Sequence, residues 1–219
     1  RDGGTTWTNV VANVPGLPRA SWVSWVEASR HDAGTAYACF DRHTFGDMSP
    51  WVFRTIDFGR TWTRIVAPDS GVRGYAHVIR EDRLQKNLLF LGTEFGLFVS
   101  TNGGATWAAF KGGGFPAVAV RDLVLQPRED DLVIATHGRG IWIVDDIAPL
   151  RALDDTTLAR PAAFLPGRPV QQRMGGVGGW VDGDAAFVGQ SAPNGAVITY
   201  YQRQRHTFGH LKLEVLDAD

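Results

Sequence analysis

The stretch Ser100-Thr101-Asn102-Gly103-Gly104-Ala105-Thr106-Trp107 decides the fold, because its pattern occurs three times in the chain. A second copy reads Thr55-Ile56-Asp57-Phe58-Gly59-Arg60-Thr61-Trp62. Another copy, at the start, reads Asp2-Gly3-Gly4-Thr5-Thr6-Trp7. All three share Asp/Asn-x-Gly-x-Thr-Trp. Matches of this length at regular spacing indicate one repeated structural unit rather than three unrelated turns.

Each residue type in the pattern has a physical task in a turn between two strands. The short Asp or Asn side chain can bond backbone N–H groups two or three residues further on. Gly supplies a positive φ at little cost, and the Thr-Trp pair restarts a strand whose Trp ties the turn to a packing layer. The residues predicted to have these structural roles are Asp2, Gly4, Trp7, Asp57, Gly59, Thr61, Trp62, Asn102, Gly104, Thr106 and Trp107.

The spacing of the repeats predicts units of four strands. From Asp57 to Asn102 the period is 45 residues, and it is 44 if Asp146 is a degenerate third equivalent. Periods of about 40–50 residues with four strands are typical of β-propeller blades. A strand is also expected at Thr6–Val10. The predicted units are Ser21–Ala28, Ala36–Asp41, Trp51–Thr55 and Thr61–Ile65; then Tyr75–Arg80, Leu88–Thr93, Leu97–Ser100 and Thr106–Phe110; then Val118–Leu125, Leu132–Thr136, Ile141–Val144 and a weak last strand near Leu150–Leu153.

Composition limits the classes of protein. The 219 residues are 44% apolar and carry a formal net charge of −1 without long runs of one sign, so no nucleic-acid footprint is visible. No apolar stretch approaches the roughly 20 residues that span a bilayer. Cys39 is the single cysteine, which excludes an internal disulfide. Many Gly, Trp and Phe residues favour short strands separated by turns.

The repeated pattern resembles the Asp-box, or BNR repeat, of sialidases, sortilin-type receptors, xyloglucan-cleaving glycosidases and a photosystem assembly factor. In those families it joins the third and fourth strands of propeller blades, on the face away from the usual site. The resemblance implies an all-β chain with about three four-stranded blades in residues 1–153. Three blades do not close a propeller, so the remaining blades of a parent chain or another subunit are the expected partners. Open edges could instead be paired between copies.

After Asp154 the composition changes to proline and glycine, which predicts a linker over residues 154–183. Two β-rich runs follow, Ala196–Gln202 and Leu211–Asp217, and are predicted to form a hairpin. The order of these segments resembles large secreted bacterial BNR proteins, often labelled sortilin-like or glycosyl hydrolase, in which an immunoglobulin-like domain follows the propeller. The resemblance implies the start of such a domain at residues 184–219 and an extracytoplasmic, bacterial location.

Loops opposite the Asp-boxes are where a propeller of this kind would bind. The loop Asp41–Pro50 is longer than the equivalent Glu94-Phe95-Gly96, and extra loop length usually serves contact. We therefore expect one binding face on which the loops between second and third strands meet. Its predicted members are Arg42, His43, Asp47, Glu94, His137 and Arg139.

The sequence gives only weak evidence for catalytic residues at that face. A glycosidase needs two carboxylates across a sugar, and Glu94 with Asp41 or Asp47 could supply them, but solvated loop acids are the favoured interpretation of all three. A sialidase would need an arginine cluster and a Tyr nucleophile, for which Arg73, Arg121 and Tyr75 are available without an aligning motif. Neither His137-Gly138-Arg139-Gly140 nor the glycine-rich Met174–Gly179 has the context of a phosphate or nucleotide loop. No metal site or cofactor is indicated.

The sequence thus predicts a binding or scaffolding module within a larger secreted or envelope assembly. The alternative is a glycoside hydrolase, xyloglucanase-like or sialidase-like, whose site is completed by further blades.

Overall fold

A computed structural model of the chain describes residues 3–170 and 195–216, and these are nearly all β. Predictions that involve Asp2, Met174–Gly179 and Asp217 lie outside the described residues. Two sheets of four strands and one of three follow one another along the described chain, and a two-stranded sheet comes last. No helix in this part is long and apolar enough to cross a membrane.

The first three sheets are meanders whose strand order follows the sequence, with every neighbouring pair antiparallel. This is the arrangement of propeller blades, and it confirms the predicted fold class. The first sheet contains β1 (Trp22–Ala28), β2 (Ala36–Arg42), β3 (Asp47–Thr55) and β4 (Thr63–Arg64). The second contains β5 (Ala76–Glu81), β6 (Leu89–Thr93), β7 (Gly96–Ser100) and β8 (Ala108–Ala109). The third contains β9 (Val120–Gln126), β10 (Asp131–Thr136) and β11 (Ile141–Val144).

Consecutive sheets pack face to face through two apolar clusters. The first cluster joins Cys39 and Val52 of the first sheet to Leu91 and Phe98 of the second. The second cluster joins the opposite face of the second sheet to the third; its buried members include Val78, Phe90, Leu97, Leu123 and Ile134. Because β5 lies against both β1 and β9, the first strands of the three sheets are neighbours.

Side-chain hydrogen bonds close the two repeated turns around Asp57 and Asn102, and they reach the backbone amide four residues further on. Asp57 Oδ1 accepts from the Thr61 backbone N at 2.9 Å, and Asn102 Oδ1 accepts from the Thr106 N at 2.9 Å. The residue two positions earlier, Thr55 or Ser100, uses its hydroxyl to accept from the amide of the repeat glycine. Each turn is therefore closed by two side chains from its own repeat.

The turn of the second sheet also locks onto the sheet before it. Trp107 Nε1 donates to the Ile65 carbonyl at 2.9 Å. A Cβ added at Gly104, which has φ +91°, would lie 3.1 Å from the Ile65 side chain, so the position requires glycine. At the first sheet Gly59 approaches Val10 in the same way, but the buried Trp62 Nε1 has no hydrogen-bond partner among the described residues. Both tryptophans are half-buried. Trp107 packs against the first cluster, whereas Trp62 packs against a separate group of buried residues that includes Phe40 and Phe53.

Two predicted strands are wrong. Residues 6–10 form no strand; a single 3₁₀ turn follows at Val11–Asn13, and Trp7 is 89% exposed. A strand needs a hydrogen-bonded neighbour, and the described chain offers none there. The segment near Leu150–Leu153 begins instead as helix α1 (Ala148–Arg151), because Asp146 turns the chain at φ +54° and Pro149 suits a first helical turn.

The segment predicted as a linker, 154–183, is structured where it is described. It contains helix α2 (Asp155–Ala159) and β12 (Ala162–Leu165). Strand β13 (Thr199–Gln202) pairs with β12, so the predicted hairpin between Ala196–Gln202 and Leu211–Asp217 is wrong; residues 211–216 form no strand. The proline- and glycine-rich composition did not reveal β12, because its partner β13 is distant in sequence. The division into domains at 153 and 183 stays a prediction.

Substitution of Trp107 should show how strongly the turn holds adjacent sheets. We expect Trp107→Ala to lower the free energy of unfolding by about 3 kcal/mol, because it removes packing at the first cluster and the bond to Ile65. Denaturant melts of the full chain measure this. Phe208→Ala, at a side chain that is 86% exposed, is the matched aromatic control and should change stability by less than about 0.5 kcal/mol. Equal losses of unfolding free energy in both variants would contradict this role of Trp107 in joining the two sheets.

The Asp57 turn predicts a defined pH dependence. Hydrogen bonds from the Thr61 hydroxyl and amide lower the pKa of Asp57 from its ordinary 3.8 to about 2 in the folded chain. Because the folded pKa is the lower one, its contribution to stability is present above about pH 4 and is lost as the pH falls toward 2. Asp57→Asn, which copies Asn102, should therefore lose less stability than the parent chain between pH 5 and pH 2.5. Identical pH profiles would exclude this role.

Candidate functional site

The turns between second and third strands lie at one end of the three sheets, opposite the repeated turns at Asp57 and Asn102. We call this end the candidate face and define it by residues 43–46, 94–95 and 137–140. In an antiparallel meander the first strand also begins at this end, so residues just before and within the starts of β5 and β9 belong to it.

The loop predicted at Asp41–Pro50 is mostly strand. β2 continues to Arg42 and β3 begins at Asp47, with the pair Arg42 and Asp47 in register. Only a 3₁₀ turn at His43–Phe45 and Gly46, at φ +74°, connect them. The extra sequence length therefore lengthens a hairpin rather than forming a loop, and the prediction was wrong because hydrogen bonding of the two strands carries them beyond the apolar pattern.

A continuous group of polar and aromatic side chains crosses the three sheets at the candidate face. We call it the inter-sheet cluster. His77 Nε2 lies 2.9 Å from Glu94 Oε2, and Arg121 contacts both residues, at 3.3 Å to His77 Nδ1 and 3.6 Å to Glu94 Oε2. Its members are Asp41, His43, Tyr75, His77, Glu94 and Arg121.

Aromatic contacts extend the cluster to the first sheet. Tyr75 is buried, and its ring meets that of His77 edge-on with centroids 4.6 Å apart. The imidazole of His43 also stacks on the Tyr75 ring, with centroids 4.7 Å apart. Asp41 accepts from the His43 backbone N at 2.8 Å and contacts its Nδ1 at 2.7 Å, which orients the imidazole over Tyr75. Glu94 and Asp41, predicted as a possible carboxylate pair, thus lie at the two ends of one contact chain.

The hydrogen bonds fix the tautomer of His77. Arg121 can only donate, so His77 Nδ1 is the acceptor and Nε2–H donates to Glu94. Burial lowers the pKa of His77 and the charge of Arg121 lowers it further, which together outweigh the opposing effect of Glu94. Burial alone would raise the pKa of Glu94, but the hydrogen bond from His77, the contact with Tyr75 and the charge of Arg121 lower it. At neutral pH the triad is therefore Arg⁺, neutral His and ionised Glu.

Irregularities in the strand pairing set the direction of side chains near the cluster. The ladder of β1 with β2 skips Ser24, that of β5 with β6 skips His77, and that of β9 with β10 skips Arg121. These are β-bulges at the same position of the first strand in each sheet, and a bulge re-aims its side chain. Two of the three bulge residues contact the adjacent sheet: Ser24 Oγ donates to the Ala76 carbonyl at 2.8 Å, and Arg121 contacts His77.

Two predicted members of the binding face support their own hairpin instead. Asp47 accepts from Trp51 Nε1 at 2.8 Å and from the Ser49 N at 2.9 Å. Arg42 donates to the Arg19 carbonyl at 2.7 Å and lies 3.5 Å from Asp47. In the described structure neither side chain joins the inter-sheet cluster, and Asp47 is not paired with Glu94.

His137 and Arg139 lie in the exposed turn between β10 and β11. The backbone N of His137 donates to the Ala119 carbonyl at 2.9 Å, which holds this turn beside the start of β9 and hence near Arg121. Arg73 is exposed just before Tyr75. These residues surround the inter-sheet cluster without a side-chain contact to it in the described residues.

Sequence reasoning missed His77 and Ser24, because no motif marks them and a bulge is not visible in a strand pattern. Tyr75 and Arg121 were weighed as separate residues; the fold brings both to Glu94. A polar residue near the start of each first strand, repeated in three units, is the signal that could have found all three bulge positions.

Comparisons of sequence and structure relate the chain to a few known proteins. No family model matches the chain. Vacuolar protein sorting/targeting protein 10 from Aspergillus flavus and that from Aspergillus oryzae are each 27% identical over 116 residues, covering 48% of this chain and 8% of the fungal protein. The chain thus spans less than a tenth of the length of these curated relatives. It is similar at low identity to a sorting/targeting protein, and the relatives give no support to a bacterial origin.

Solved structures of similar shape include GH74 enzymes. One is an ancestral GH74 enzyme, with a TM-score of 0.44, 18% identity, and coverage of 54% of this chain and 14% of that one. The GH74 enzyme of Niastella koreensis has a TM-score of 0.46 and 21% identity, and the match covers 55% of this chain and 21% of that one. For YCF48 bound to D1 peptide the TM-score is 0.44 and the identity 18%, and the match covers 66% of this chain and 43% of that one.

The hydrogen-bonded triad predicts opposite effects of two substitutions on the pKa of His77. Arg121→Gln should raise it, since a repelling charge is lost, and Glu94→Gln should lower it, since the favourable carboxylate is lost. Nitrogen-15 NMR of the imidazole measures both, and should show the Nε2–H tautomer in the parent chain at pH 7. Shifts in the same direction, or an Nδ1–H tautomer, would contradict this arrangement.

Proposed function

We propose that this chain is part of a propeller protein that binds a protein or glycan ligand at the candidate face. The observation that carries the proposal is the inter-sheet cluster, which collects charged and aromatic groups from three sheets at one end. Arg121 is 44% exposed and His43 46% exposed by side chain, so donors of the cluster face solvent. A partly exposed cation beside a stacked aromatic pair suits recognition of polar ligands.

Electrostatics favour binding over hydrolysis. A glycosidase acid must hold a proton near the working pH, yet the pKa of Glu94 is lowered rather than raised. Burial and the contact with Glu94 raise the pKa of Tyr75, which disfavours a tyrosinate nucleophile. Asp47 is engaged within its own hairpin. These features support a site that holds a ligand.

A glycoside hydrolase is the second candidate. What favours it is the joining of Glu94, Tyr75 and Arg121, residues of the kinds that sugar-cleaving propellers use, in one cluster. In that case further blades supply the remaining groups of the site, and Asp41 or Glu94 acts as a carboxylate of the reaction.

The setting we infer is extracytoplasmic, within a larger propeller assembly. The similarity to a sorting/targeting protein supports a place in the secretory pathway or outside the cell. The remaining blades come from the parent chain or another subunit, and residues 184–219 contribute to a following immunoglobulin-like domain. Nucleic acid and a membrane span are not part of this proposal.

A binding screen with matched variants tests the proposal. Immobilised chain is exposed to xyloglucan oligosaccharides, sialyllactose and a defined peptide library, and dissociation constants are measured for any ligand retained. We expect Arg121→Gln and Arg139→Glu to weaken binding by tenfold or more, about 1.4 kcal/mol. Lys86→Glu, in the turn between β5 and β6 at the other end of the sheets, is the charge control and should leave binding unchanged.

Hydrolysis gives a different pattern. If an oligosaccharide is cleaved, and Glu94→Gln or Asp41→Asn abolishes cleavage while the dissociation constant is kept, the hydrolase candidate replaces the binding module. If Lys86→Glu alone weakens binding, the ligand lies at the Asp-box end and the candidate face is wrong.

A further inference from the structure

A cavity lies at the end of the sheets opposite the candidate face, beside the three loops that join first and second strands. These loops are residues 29–35, 82–88 and 127–130, and they contribute Arg30, Arg83 and Pro127 to its lining. We call it the loop cavity. Its volume is about 210 Å³. Pockets for drug-sized ligands measure roughly 300–1,000 Å³, so the loop cavity suits a smaller molecule.

Arg80 forms a fixed part of the cavity lining. It donates to Glu27 at 2.7 Å and to the Leu123 carbonyl at 2.7 Å, and it has a longer contact of 3.3 Å with Asp122. Its guanidinium lies 4.2 Å from the centre of the Trp25 ring. Because Glu27 also lines the cavity, the charges of this pair balance each other and neither is left for a ligand.

Glu81, the second acid of the lining, is occupied by neutral donors. Its Oε2 accepts from the Ser29 hydroxyl at 2.7 Å and from the Arg30 backbone N at 3.0 Å, and its Oε1 accepts from the Tyr37 hydroxyl at 2.9 Å. Glu81 is 3% exposed. A buried carboxylate with both oxygens bonded is a poor partner for a ligand, but its charge opposes a ligand with more than one negative charge.

Two arginines of the lining retain donors without a partner in the described part of the chain. The guanidinium of Arg30 forms no hydrogen bond or ion pair there; only the backbone N of this residue does. Arg83 Nη2 donates to Asp130 at 2.7 Å and to the Pro127 carbonyl at 2.8 Å, but the buried Nε has no acceptor among the described residues. A buried donor without an acceptor is unfavourable, so a ligand oxygen would stabilise it.

The third sheet supplies an apolar wall to the same cavity. Val124, Leu125 and Pro127 line it. Val124 is 50% exposed, so an aliphatic group of a ligand can remove part of its surface from water. The loop cavity therefore combines one unpaired cation, one buried donor without an acceptor and an aliphatic surface.

We propose that the loop cavity binds a short aliphatic monocarboxylate. The carboxylate accepts from Arg30 and Arg83, since a guanidinium group matches a planar anion with two oxygens. The alkyl chain packs on Val124 and Pro127. One negative charge matches the one unpaired arginine, whereas Glu81 opposes a dianion such as phosphate. The site lies at the other end of the sheets from the candidate face and is independent of the function proposed for that face.

An NMR titration of the full chain with butyrate, at constant ionic strength, gives the first test. We expect saturable amide shifts confined to residues 29–35, 82–88 and 124–130, with a dissociation constant in the millimolar range that so small a ligand can reach. Arg30→Gln should raise this constant tenfold or more. It keeps the backbone bond to Glu81, so the loop should stay folded. Lys86→Gln removes the same charge from the 82–88 loop outside the lining, and should leave the constant unchanged.

Chain length of the ligand gives the second test, because it reports on the apolar wall. The parent chain should bind butyrate about fivefold more tightly than acetate, since the added methylene groups cover Val124. Val124→Ser should remove most of this preference while the affinity for acetate is kept. A general attraction of anions would show neither effect.

Three results would overturn the proposal. The first is a parent chain that shows no saturable shifts with butyrate. The second is binding of phosphate or butylamine as tight as that of butyrate, since the cavity would then not select a monocarboxylate. The third is a set of butyrate shifts at the candidate face that Arg30→Gln leaves unchanged, which would assign carboxylate binding to that face.

Discussion

Face-to-face packing of each sheet on the next is the interaction on which the structure depends. The second sheet is apolar on both faces: Leu91 and Phe98 meet the first sheet, and Phe90 and Leu97 meet the third. A four-stranded meander cannot bury such a sheet alone, so neighbours are a condition of stability. The repeated turns add to this packing, because glycine allows the Asn102 turn to lie directly on Ile65, which follows the last strand of the first sheet.

The same packing creates the candidate site. Since β1, β5 and β9 are neighbours, a bulge at the same position in each one brings Ser24, His77 and Arg121 together at one end of the sheets. Glu94 then accepts from a buried neutral histidine, and the arginine balances its charge. The β-bulges thus place polar side chains at the end of otherwise regular strands, where His77 is neutral and Glu94 is ionised.

At the opposite end of β1, β5 and β9, charged residues connect the sheets to one another. Arg80 donates to Glu27 at 2.7 Å and to the Leu123 carbonyl at 2.7 Å, and so links all three sheets. Burial opposes the charge of Arg151, but its bonds to Asp130 and Asp82 outweigh this effect and raise the pKa of Arg151; hydrogen bonds from Arg151 likewise lower the pKa of Asp130 to about 2. Buried pairs of this kind contribute little net stability but penalise other arrangements, which suits a chain whose repeats could otherwise pair out of order.

The sequence by itself determined the blades, because the repeat pattern fixes turns through short-range bonds such as Asp57 to Thr61, and hydrophobic alternation fixes the strands between them. It also selected Glu94 and Asp41 from their loops. It could not determine the bulges, the neutral tautomer of His77, the strand pairing of Ala162–Leu165 with Thr199–Gln202 or the helix at Ala148–Arg151. Those depend on contacts between residues up to 69 positions apart, such as Arg151 with Asp82, and only the tertiary structure brings such residues within bonding distance.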